Sequence, residues 1–199
     1  MMVEDVGTEK LAIMTSASHQ NTEKAEPKTS GREAVVFGDL LAQQEVVFRI
    51  CLGFSRNYAE AQDLAQDVYL KAYLSLGALE NPAVSKEWLF RIAKNTCLDH
   101  QKKMRLRRVL LLKWGAAVDE PDSPEAAPDL KKKLQRLKSE VRRLPKKLRA
   151  VFILREYGHL AYDEIAAALG IKEGTVMSRL NRARTAVRRR LKERSHEKE

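Results

Sequence analysis

Residues 161–191, AYDEIAAALGIKEGTVMSRLNRARTAVRRRL, constrain the fold more than any other stretch. Ile165, Ala168 and Leu169 recur at helical spacing, and Gly170 follows where a left-handed C-cap falls. After that turn, Val176, Leu180, Ala183, Val187 and Leu191 stand four, three, four and four apart, one apolar stripe of a second helix. Thr175, Ser178, Arg179, Asn181, Arg182 and Arg184 lie between those positions, many of them facing away from the stripe. A helix that packs on one side and offers Arg, Ser, Thr and Asn on the other suits the major groove of DNA. The plainer alternative is a helical hairpin with a solvated basic face. The tight glycine-centred turn and the one-signed helix, occurring together, favour a helix-turn-helix.

Few Pro and Gly residues and no alternating apolar run predict an all-α protein, two small helical domains joined by a flexible linker. The formal charge of +10 is unevenly spread. Residues 129–199 carry 21 Lys/Arg against 9 Asp/Glu, a net of +12, and residues 86–113 carry 9 against 2, a net of +7. Residues 114–128 carry four acids and no base. Two basic blocks around an acidic spacer point to two polyanion-binding surfaces. Residues 113–128 also hold three of the six prolines, which reads as an interdomain linker. Its 16 residues reach at most about 55 Å when extended.

Residues 1–32 are polar and aperiodic, which predicts a disordered tail. Residues 33–56 read as one long, largely buried helix. In residues 60–76, Leu64, Val68, Ala72 and Leu76 recur every four residues, widened by Ala61, Ala65 and Tyr69. Residues 77–85 form a loop around Asn81-Pro82. A further helix from Lys86 to about Arg108 sets Trp88, Leu89, Ile92, Ala93 and Leu98 on its apolar side. The domains expected are 33–112 and 129–199.

No P-loop, GxGxxG, HExxH or nucleophile elbow is present, and the four histidines are scattered. Cys51 and Cys97 match no zinc or redox spacing. Asp63 and Asp67 share a helix face, which suits a docking surface better than an acid–base pair. An enzyme is therefore not expected, nor a metal or cofactor. No apolar run approaches the length of a membrane span, and the N-terminus lacks a signal-peptide core, which implies a cytoplasmic protein. The first basic block interleaves Trp88, Phe90 and His100 with cations and Asn95. Cations track phosphates, while amide and aromatic side chains engage unpaired bases.

EAQDLAQDVYLKAY (60–73) with WLFRIAKNTCLDHQKK (88–103), and LPKKLRAVFILREYGHLAYDEIAAALGIKEGTVMSRLNRARTAVRRRL (144–191), occur in the order and spacing of a known family. The chain resembles the extracytoplasmic-function sigma factors, the compact two-domain branch of the bacterial sigma-70 family. The resemblance implies a transcription initiation factor that binds core RNA polymerase and directs it to promoter DNA, with a separate anti-sigma factor as regulator. Asp63, Gln66, Asp67 and Lys71 would dock on the clamp of the largest polymerase subunit. Arg91, Lys94, Asn95, Thr96, His100, Lys102 and Lys103 would hold the melted −10 element, with Asn95 near an extruded base. Thr175, Met177, Ser178, Arg179, Asn181 and Arg182 would read the −35 element as duplex. Met177 and Asn181 depart from the family's usual basic and aromatic residues, and His100-Gln101 from its aromatic–basic pair. A stand-alone dimeric helix-turn-helix regulator explains residues 144–191 equally well, but not the two helices before the linker.

Overall fold

The computed structural model describes residues 31–113 and 128–196. All regular structure among them is helical, as the composition predicts. The N-terminal bundle comprises α1 (Gly31–Leu41), α2 (Gln44–Phe54), α3 (Tyr58–Leu74) and α4 (Ser85–Lys113), with two 3-10 turns between α3 and α4. The C-terminal bundle comprises α5 (Pro128–Arg142), α6 (Lys146–Glu156), α7 (Tyr162–Leu169) and α8 (Glu173–His196). Residues 1–30 and 114–127, expected as tail and linker, lie outside the described residues.

The expected single helix over 33–56 is two. It breaks at Ala42–Gln43, where the Leu40 carbonyl accepts a turn bond from the Gln43 amide (3.0 Å) and another from the Tyr69 hydroxyl (3.0 Å). That carbonyl is committed to α3, so the chain turns and restarts. Gly31 and Arg32, assigned to the tail, instead form the first turn of α1. The helix expected from Lys86 to about Arg108 runs 29 residues, a rod of about 43 Å.

Local chemistry sets the remaining boundaries. Asn57 caps α3, its Oδ1 accepting from the Glu60 amide at 2.8 Å, and the Glu60 carboxylate reaches back to the Arg56 amide. Asn81 holds the Pro82 turn by accepting from the Ala83 amide at 3.0 Å. Gly170 closes α7 at φ +63°, where a side chain would strain the backbone. His159 also has a positive φ, in the turn before α7.

The predicted stripes are the core. Ala61, Leu64, Val68 and Ala72 of α3 pack with Val47, Ile50, Cys51 and Phe54 of α2 and with Leu89, Phe90, Ala93 and Cys97 of α4, all buried. The Cys97 thiol donates to the Cys51 sulfur at 3.8 Å, and that bond together with burial raises the Cys97 pKa well above the usual thiol range. In the C-terminal bundle Ile165 and Ala168 of α7 meet Val176, Leu180, Ala183 and Val187 of α8 over Val151, Ile153 and Leu154 of α6. The buried residues of the two bundles form one continuous cluster. No helix among the described residues is long and apolar enough to cross a membrane.

Candidate nucleic-acid interface

Three exposed faces emerge once the apolar stripes are turned inward. On α3, Asp63, Gln66, Asp67 and Lys71 are all exposed; Asp63 and Gln66 lie away from Leu64 and Val68, and Asp67 and Lys71 flank that stripe. Leu70 and Leu74 extend the same face, exposed to 57% and 74%. The sequence signal for them was available. Both leucines fall half a turn off a stripe already filled by Leu64, Val68 and Ala72, so they have no place in the core.

On α4 the predicted set divides. Arg91, Asn95, Lys102 and Lys103 are exposed, and Lys94 is half-buried, its pKa lowered by burial and then by neighbouring Arg91. Thr96 and His100 turn away from that surface, toward α3. Thr96 is buried and its Oγ1 accepts from the Lys71 ammonium at 3.1 Å. His100 Nε2 lies 2.7 Å from Glu60 Oε1, and adjacent Gln101 donates to the Phe54 carbonyl at 2.7 Å. Helical spacing explains the split: 96 and 100 are one turn apart and share a side, while 91, 95 and 102 define another. Thr96, His100 and Gln101 thus hold α4 to its neighbours. Trp88 packs partly against the core, as its stripe position predicts.

The third face belongs to α8. Met177, Ser178, Asn181 and Arg182 are exposed near its N-terminus, with Thr175 and Arg179 half-buried at the edge. Met177 is 52% exposed, so it projects from the helix rather than resting in the core. Ser178 Oγ donates to the Thr175 carbonyl at 3.1 Å. Two devices fix the angle of this helix. Arg184 Nε donates to Glu156 Oε1 of α6 at 2.9 Å. Arg155 donates to the Leu160 carbonyl at 2.7 Å while lying 5.1 Å over the Tyr162 ring, tying α6 to the turn before α7. Among the described residues no group of three or more His, Cys, Asp or Glu side chains is placed to hold a metal ion.

Two packed helices, a glycine turn and an exposed basic helix define a helix-turn-helix DNA-binding protein, here preceded by a second helical bundle. Residues 41–107 match the family Sigma-70 region 2, and residues 134–187 match Sigma-70, region 4. The chain is 30% identical over 157 residues to the RNA polymerase sigma-H factor of Pseudomonas aeruginosa, covering 74% of this chain and 81% of that protein. It is 31% identical over 137 residues to the ECF RNA polymerase sigma-E factor of Escherichia coli K12, covering 64% and 72% respectively. Among solved structures, the sigma factor RpoE in complex with the anti-sigma factor NepR from Bartonella quintana superposes with a TM-score of 0.59 at 27% identity. That superposition covers 78% of this chain and 95% of that one. The chain belongs to the sigma-70 family of RNA polymerase sigma factors, in its extracytoplasmic-function branch. It is a promoter-directing transcription initiation factor, and the stand-alone dimeric regulator is not favoured.

Proposed function

We propose that the three exposed faces divide the work of initiation. The α3 face, built from Asp63, Gln66, Asp67 and Lys71 with Leu70 and Leu74 beside them, docks on core RNA polymerase. The α4 face, built from Arg91, Lys94, Asn95, Lys102 and Lys103, receives the melted −10 strand, its cations on phosphates and Asn95 on an extruded base. The α8 face, from Thr175 to Arg182, reads the −35 element as duplex. Residues 33–112 and 129–199 then act as separate promoter-binding domains, with 113–128 between them. The observation that carries this reading is that each face lies off its helix's own buried stripe, which leaves most of its polar residues exposed. The protein acts in the cytoplasm by binding alone, with no chemistry of its own, and a separate anti-sigma factor restrains it.

Runoff transcription with purified core polymerase and a genomic fragment library tests the division. Start-site-specific transcripts require the chain. Arg179→Ala weakens use of the upstream element, whereas Asn95→Ala leaves duplex binding intact and lowers permanganate reactivity of promoter thymines. Unchanged thymine reactivity in Asn95→Ala removes that residue from the melting surface.

A further inference from the structure

We propose that Lys71 and Thr96 form a strut that sets the angle from which Asn95 meets the melted strand. Lys71 stands on the face assigned to polymerase docking, but through this one bond it acts on the melting helix. The inference rests on the reading of α4 as the melted-strand face.

The strut joins an exposed residue to a buried one. Thr96 is 3% exposed, and Ala93 and Cys97 beside it on α4 are fully buried. Packing asks for no hydroxyl in that apolar wall, since a valine has the same shape. The hydroxyl has a partner instead. It accepts at 3.1 Å from the Lys71 ammonium, which reaches across from the last turn of α3. Asp67 stands one turn back from Lys71 and offers an ordinary helical ion pair. Among the described residues the ammonium goes to Thr96 and not to that carboxylate. Exposed ion pairs contribute little, whereas a bond from a charged donor to a half-buried acceptor is among the stronger ones. The same ammonium opposes, in smaller part, the rise of the Cys97 pKa that the Cys51 bond and burial impose, so its charge is directed at α4.

The position of the strut is what gives it a task. The other polar ties of α4 lie further along the helix. His100 meets Glu60 at 2.7 Å, near the start of α3, and Gln101 meets the Phe54 carbonyl at 2.7 Å, at the end of α2. Lys71 holds α4 from the opposite end of α3, at the residue next to Asn95. Successive residues stand about 100° apart around a helix, so Asn95 projects outward when Thr96 points to α3. A rotation of about 20° would carry a side-chain amide about 6 Å from the axis through about 2 Å. A hydrogen bond to a base edge tolerates about 0.5 Å. A small turn of α4 therefore separates a formed contact from a lost one.

Thr96→Val and Lys71→Met, alone and together, test this in the full-length chain. Core polymerase is held at saturation, so that docking is complete in every sample. Permanganate reads opening at promoters carrying each of the four bases at the extruded position. Each single variant is expected to lower opening on the preferred base about fivefold or more and to flatten the preference among the four. The double variant loses no more than either single one, because the same bond is absent from all three. Neither substitution lowers opening further in an Asn95→Ala chain, and Thr96→Ser, which keeps the hydroxyl, restores the preference.

A bond that only stabilises the fold would lower the melting temperature and depress opening on all four bases alike, and that result overturns the inference. So does a double variant whose loss is the product of the two single losses, which gives Lys71 and Thr96 separate tasks. If Thr96→Val does not fold, Lys71→Met decides on the same four promoters, since its position is exposed. Asn95→Ala that opens promoters like wild type defeats the reading of α4, and the strut with it. Asn95→Ala that is impaired, beside strut variants that keep the wild-type preference, defeats the strut alone.

Discussion

Burial pushes the Tyr69 phenol up to about 12, with the nearby Cys51 adding to the shift, while its hydroxyl donates to the Leu40 carbonyl at the α1–α2 break. The neutral phenol is the form the fold favours. Its contribution is complete below the ordinary tyrosine value near 10 and is lost as pH rises through about 12. An ultraviolet titration is expected to show Tyr69 ionising roughly two pH units late, with Tyr157 also displaced upward by burial, and Tyr69→Phe to remove the step near 12. Tyr69→Phe also costs about 1 kcal/mol of stability, the net value of one hydrogen bond, read from denaturant unfolding. Gly170 is a second single-residue test. Nothing lies within 4 Å of a Cβ there, so Gly170→Ala meets only the backbone penalty of a left-handed φ. A loss of about 1 kcal/mol is expected, and Gly170→Asn should lose less.

An amphipathic helix is legible when its unburied side is polar, and α3 shows both the success and the shortfall. Its buried stripe followed directly from four-residue spacing, because a core helix must repeat with its own turn. Leu70 and Leu74 escape that reasoning, because apolarity alone marks a residue for the core. Leu70→Ala/Leu74→Ala is expected to leave the melting temperature nearly unchanged, within about 0.5 kcal/mol, while weakening capture of core polymerase in a pull-down. A large loss of stability would place both leucines in the fold instead. The same limit explains α4. Spacing assigns a residue to a side of a helix, but not what lies on that side, so Thr96 and His100 read as open to DNA until α3 was in place to bond them. The helix-turn-helix was legible almost residue by residue, since Gly170 and the stripe from Val176 to Val187 are local signals. The break after Leu41 was not, because it depends on a hydroxyl 29 positions away.

At the scale of the whole molecule, the +10 charge sits on a protein whose two bundles share one buried cluster. Non-specific DNA binding is therefore expected to fall steeply with salt, and a binding isotherm against salt concentration measures the number of phosphates engaged. A slope near zero would mean that the basic faces do not reach DNA. The paired thiols of Cys51 and Cys97 offer a different kind of access to the molecule. Both are fully buried where α2 meets α4, and neither can meet a reagent in solution while those helices stay together. The pair is thus a native stopwatch for the N-terminal bundle. The rate at which a thiol-reactive dye labels the protein counts how often those helices part, and comparing it with and without polymerase tells whether docking stills the bundle or sets it breathing.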